Sequence, residues 1–146
     1  DKVLAFHSAW VLEHILIDNT KLLQKWFIPI IEAMPCTKNL SVHRHYAKIV
    51  KCTLEFGAAK DILKLKKHQK NIESLIEVCF EWLLNKKTPI AVKAHCMDIL
   101  MYFAPNNEWV REELPHIIRL NMIDATPGIA SKSKKLLKKL HSYEAS

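Results

Sequence analysis

The chain has 146 residues, 49% of them apolar and 25% charged, which describes one ordinary folded domain spanning residues 1–146 and excludes disorder. Only two glycines occur, Gly57 and Gly128. Phosphate-cradling loops need several glycines and all-β folds need them in tight turns, so nucleotide-binding and all-β architectures are excluded. Lysine and arginine total 22 against 15 acids, a net charge of +7, which permits anion attraction but defines no site by itself.

Taken in chain order, the apolar spacing predicts helices over about 3–18, 20–34, 41–56, 71–85, 89–104, 108–122 and 128–142. In the second helix Leu23, Trp26, Phe27, Ile30, Ile31 and Met34 fall at steps 0, 3, 4, 7, 8 and 11. In the third, Val42, Tyr46, Ile49, Val50 and Thr53 fall at 0, 4, 7, 8 and 11. Residues 58–69 carry many lysines and are expected to form a short helix or a mobile insertion. Beyond them Ile72, Leu75, Ile76, Cys79, Phe80, Leu83 and Leu84 mark one side of the next helix. The spacing of the third helix recurs in Val92, Cys96, Ile99, Leu100 and Phe103. Each stripe must be buried against another helix. One continuous core is expected from Val42, Tyr46, Ile49, Val50, Leu75, Cys79, Phe80, Val92, Ile99, Leu100 and Ile117. In the last helix Ile129, Leu136, Leu137, Leu140 and Tyr143 form the inner stripe. Breaks fall at Pro35–Asn39, Gly57, Lys86–Pro89, Pro105–Asn107 and Thr126–Gly128. Asn39–Ser41, Thr88 and Thr126 are the expected N-caps, the last two followed by proline.

The helices repeat. Leu4-Ala-Phe-His-Ser-Ala-Trp-Val-Leu aligns with Val42-His-Arg-His-Tyr-Ala-Lys-Ile-Val and with Val92-Lys-Ala-His-Cys-Met-Asp-Ile-Leu, and more weakly with Ala130 to Lys138. The offsets are 38, 50 and 38 residues, the 50 being one unit plus the lysine-rich insertion. Ile28-Pro-Ile-Ile and Leu114-Pro-His-Ile-Ile both place a proline inside an apolar run. A helix pair repeated at this period, the Val-His and Val-Lys openings at Val42-His43 and Val92-Lys93 and the mid-helix proline resemble the HEAT and armadillo class. The resemblance covers nearly the whole chain. It implies an all-α, right-handed α-α superhelix of about three and a half helix pairs, of a small bacterial type, whose usual role is binding proteins. The tetratricopeptide pattern is absent.

No constellation of catalytic residues stands out. His7, His45 and His95 occupy one position in three repeats, but residues spaced along a stack of helices about 8–10 Å apart cannot converge on one metal ion. Cys36, Cys52, Cys79 and Cys96 lie 16, 27 and 17 residues apart with no CxxC pair. Reduced thiols in a cytoplasmic protein are therefore expected, with no metal and no cofactor. No apolar run approaches the roughly 20 residues that span a bilayer, and no secretory leader is visible. Met34-Pro35-Cys36-Thr37-Lys38-Asn39 resembles the Met-Pro-x-Lys-x-Asn end of the fumarase and adenylosuccinate lyase signature loop. Its lysine is displaced by one residue, and Ile31-Glu32-Ala33 replaces the preceding Gly-Ser-Ser. The local reading is a helix end at Met34 and an inter-repeat loop after it.

Three functions follow in order. The first is a non-catalytic protein-interaction scaffold. In the repeat register Phe6, Trp10, Glu13 and Ile17 lie opposite the core stripe, where the second repeat has Arg44, Lys48, Lys51 and Glu55. That strip is the candidate surface for a protein partner or for self-association, with Glu13 at its rim. The second is nucleic-acid binding of the DNA-repair kind, because HEAT-like alkylpurine glycosylases exist. Lys132, Lys134, Lys135, Lys138 and Lys139 are its candidate polyanion contacts, and they would cover the outer face of a C-terminal capping helix. Only three arginines, Arg44, Arg111 and Arg119, are present to read bases. The third is an enzyme, including a lyase, for which the residues supply no catalytic set.

Overall fold

The computed structural model describes residues 2–145, without the side chains of Lys2 and Phe6. It is all-α, with eight α-helices and no strand among the described residues. In order these are α1 (Lys2–Ile17), α2 (Thr20–Ala33), α3 (Leu40–Glu55), α4 (Lys60–Leu63), α5 (Gln69–Leu84), α6 (Ile90–Phe103), α7 (Glu108–Met122) and α8 (Pro127–Glu144). The predicted helices are found within a few residues of their expected ends. The 58–69 stretch holds the single turn α4 and a 3-10 turn at Lys66–His68. The chain divides into two compact units, 1–78 and 79–146, with the boundary inside α5.

In the first unit α1, α2 and α3 pack on one another. Their core holds Leu16, Leu23, Phe27, Ile30, Ile31, Met34, Val42, Ile49 and Val50, with Leu75 also buried. Tyr46, expected in the core, is half-buried. Trp26, expected in the α2 stripe, lies on its edge and is 40% exposed. Asn19 and Asn39 cap α2 and α3 through their side-chain oxygens, which accept the amides of Leu22 and Ser41 at 3.2 and 3.0 Å. At the end of α3 the Ala58 and Gly57 amides donate to the Thr53 and Leu54 carbonyls, both at 3.1 Å. That pair of bonds needs a left-handed residue, and Gly57 supplies it with φ +74. Pro29, inside α2, is exposed and has no amide hydrogen to give the Lys25 carbonyl.

In the second unit α6, α7 and α8 pack on one another. Cys79, Phe80, Val92, Ile99, Leu100, Ile117, Ile129 and Leu140 are buried there. Leu136, Leu137 and Tyr143 of the expected α8 stripe are half-buried, while Ser133 is fully buried among them. Asn107 caps α7 by accepting from Val110 at 3.0 Å, and Thr126 caps α8 by accepting from Ile129 at 3.4 Å. Thr88 does not cap α6. Pro89 takes the cap position with an extended ψ of 148, so the helix starts one residue later, and Thr88 is buried instead. α2 and α6 end alike: a buried residue, Met34 or Ala104, opens a 3-10 turn with proline next, and an asparagine then caps the following helix.

Candidate functional site

The first helix is turned about its axis relative to the expected register. Leu4, Val11 and Ile15 align with core positions of the third helix, yet they are exposed, together with Val3 and Trp10. These five side chains are between 46 and 66% exposed and stand at steps 0, 1, 7, 8 and 12 from Val3, one face of a helix. His14 lies on the same face. Its ring packs against Trp10 with centroids 4.1 Å apart, and its Nδ1–H donates to the Trp10 carbonyl at 2.9 Å. The inward face is Ala9, Glu13 and Leu16, with Ile17 half-buried. Of the four residues expected to form the strip, only Trp10 is shown on the surface. The Phe6 side chain lies outside the described residues.

Glu13 is the main correction. It does not sit at a rim but is 5% exposed, between α1 and α3. His45 Nδ1–H donates to its Oε2, and the Lys48 ammonium donates to its Oε1 at 2.7 Å. Burial pushes the Glu13 carboxyl up, but the hydrogen bonds and charges of Lys48 and His45 outweigh it and hold the group below its ordinary range. The three residues form an internal polar bridge between two helices. His7 is exposed and His95 half-buried. Among the described residues no group of three or more histidine, cysteine or acidic side chains could hold a metal ion.

The segment resembling the lyase signature does structural work. Met34 is buried, Met34–Cys36 form a 3-10 turn and Asn39 caps α3. The Thr37 hydroxyl donates to the Ala33 carbonyl at 2.8 Å, and His43 Nε2–H donates to the Thr37 carbonyl. Cys36 is exposed, Cys52 half-buried, and Cys79 and Cys96 buried; all four are free thiols. Burial raises the Cys52 thiol, and burial together with a hydrogen bond to Cys96 raises Cys79 well above the ordinary range. Such thiols are poor nucleophiles.

On α8, Lys134, Lys135, Lys138 and Lys139 are exposed. Lys132 departs from the expected outer face: it is half-buried, and its ammonium meets Asp98 of α6 at 2.7 Å. Trp82 is buried, and Trp109 is exposed with its ring edge-on to Phe80 at 5.0 Å.

Sequence reasoning missed a groove in the second unit. It has a volume of about 590 Å³ and lies where the ends of α5 and α7 meet the start of α6. Asn121 anchors it: Nδ2 donates to the Leu83 carbonyl at 3.0 Å and to the Ile117 carbonyl at 2.9 Å, and Oδ1 accepts from the Lys93 ammonium at 2.9 Å. The available signal was a polar residue four positions after Ile117, where the stripe calls for an apolar one.

Paired helices, asparagine-capped turns and prolines at matching places define a helical-repeat protein. A family model described as HEAT repeat domain matches residues 1–140, and the chain belongs to that family. No curated protein and no solved structure matches the chain. No helix among the described residues is long and apolar enough to cross a membrane.

Proposed function

We propose that this HEAT-repeat protein is a non-catalytic scaffold that binds a protein partner, or a second copy of itself, through α1, and that it works in the cytoplasm with its four thiols reduced. The observation that carries the reading is the outward face of α1, where Val3, Leu4, Trp10, Val11 and Ile15 are each close to half exposed or more. Water-facing helix surfaces are ordinarily polar, and large apolar side chains grouped on one exposed face are typical contact anchors. Glu13 leaves the proposed surface, and the half-buried Ile17 borders it. The test replaces Trp10 and Ile15 by serine and measures light scattering, melting and cross-linking to partners in native extract. A dimer becoming a monomer, or loss of one defined cross-linked protein with melting unchanged, supports the surface. A monomeric parent whose cross-links are unchanged by the substitutions rejects it.

A second reading, polyanion binding, is favoured by the four exposed lysines on α8. Phosphate binding should then weaken steeply with salt. Glutamine at Lys134, Lys135, Lys138 and Lys139 should abolish retention on heparin at low salt. If the unaltered chain is not retained, this reading fails.

A further inference from the structure

We propose that the groove between the ends of α5 and α7 and the start of α6 docks a segment of a partner protein that presents aliphatic side chains beside a carboxylate. The inference rests on the protein-binding reading and adds a second surface with its own chemistry. Leu84, Leu120 and Ile123 line the groove and are 55, 57 and 69% exposed. Single exposed leucines are ordinary, but three large aliphatic groups on one concave surface are not. Lys86 and Lys93 share the lining with one acid, Asp124. Two cations against one anion complement a single carboxylate rather than a polyanion.

Lys93 is the distinctive element. A lysine normally gives up much side-chain freedom on forming an ion pair. Here that ordering is already present in the free protein. The Asn121 amide is held by two backbone carbonyls, so its oxygen has one orientation, and that oxygen holds the Lys93 ammonium at 2.9 Å. An ammonium has three N–H donors and Asn121 uses one, so a carboxylate meets a positioned cation with donors to spare. Lys86, on the turn after α5, has no such tether and adds charge without geometry. The aliphatic floor supplies affinity and Lys93 supplies selectivity, the usual division of labour in a recognition site.

The experiment is an NMR titration of the whole chain, labelled at methyl groups and at lysine Nζ. The probes are acetyl-Leu-Glu-Leu-Leu-amide and the same peptide with glutamine for glutamate. The expected result is shifts at the Leu84, Leu120 and Ile123 methyls and at Lys93 Nζ, with the glutamate peptide binding about fivefold tighter. Lys93→Met should erase that preference and keep the methyl shifts. Leu120→Ser with Ile123→Ser, both at exposed positions, should abolish binding of both peptides without changing the melt. Absence of groove shifts up to about 5 mM peptide overturns the proposal, as does equal binding of the two peptides. The probes are synthetic and the α1 variants are not used, so a silent groove leaves the α1 surface standing, and failure of α1 to bind leaves the titration valid.

Discussion

Replacing Glu13 by glutamine keeps the size of the side chain and removes its charge. In the folded protein the carboxylate accepts two charge-assisted hydrogen bonds, from His45 and from Lys48 at 2.7 Å. A buried hydrogen bond to a charged group contributes about 1.5–3 kcal/mol. The Lys48 arm is discounted to about 0.2–1 kcal/mol, because that side chain is 40% exposed. The His45 arm keeps its full weight, since both partners are buried and glutamine offers only a neutral acceptor. The expected loss is about 2 kcal/mol, or a fall in Tm of about 6 °C for a chain of this size. Urea unfolding followed by circular dichroism at pH 7 measures it. A double-mutant cycle apportions it: Glu13→Gln with His45→Leu should couple strongly, and Glu13→Gln with Lys48→Met by less than about 1 kcal/mol. The pH dependence has a definite sign. The folded pKa lies below the ordinary 4.5, so this stabilisation is complete above 4.5 and disappears as pH falls through the lower, folded value. The difference between parent and variant should therefore shrink as pH falls below 4.5. A variant within about 0.5 kcal/mol of the parent at pH 7, or a difference that does not shrink as pH falls below 4.5, refutes the bridge.

Phe80→Ala should cost about 3–5 kcal/mol, because the ring is buried and packs edge-on against Trp109; a loss under about 1 kcal/mol in urea would show that the site collapses freely. Ser133→Ala should stabilise the chain by about 0.5–1 kcal/mol, since the hydroxyl is buried without a hydrogen-bond partner and alanine is the better helix former; a lower Tm than the parent would contradict this. Iodoacetamide at pH 8 should modify Cys36 first and spare Cys79 and Cys96 until the protein unfolds, as read by peptide mass spectrometry. Fast native labelling of Cys79 would show that its thiol is neither buried nor held neutral.

Much of the fold is local in origin and could be read directly. Ile72 to Leu84 and Val92 to Phe103 repeat apolar residues at helical spacing, and any chain with that spacing must bury the stripe. Gly57 and the Pro35 and Pro105 turns end helices through their own backbone limits, whatever surrounds them. The rotation of α1 was not local. Its sequence is apolar on nearly every side, so periodicity has no phase to offer, and only packing against α2 and α3 chose which face turned inward. Glu13 shows the reason in one residue. A carboxylate belongs in water unless donors replace that water, and here the donors stand 32 and 35 residues further along, on α3. Lys132 follows the same rule with Asp98, and Lys93 with Asn121. The sequence by itself determined where helices begin, end and bear apolar stripes. Which charges went inside, and which apolar groups stayed out, depended on partners that only the folded chain brings within reach.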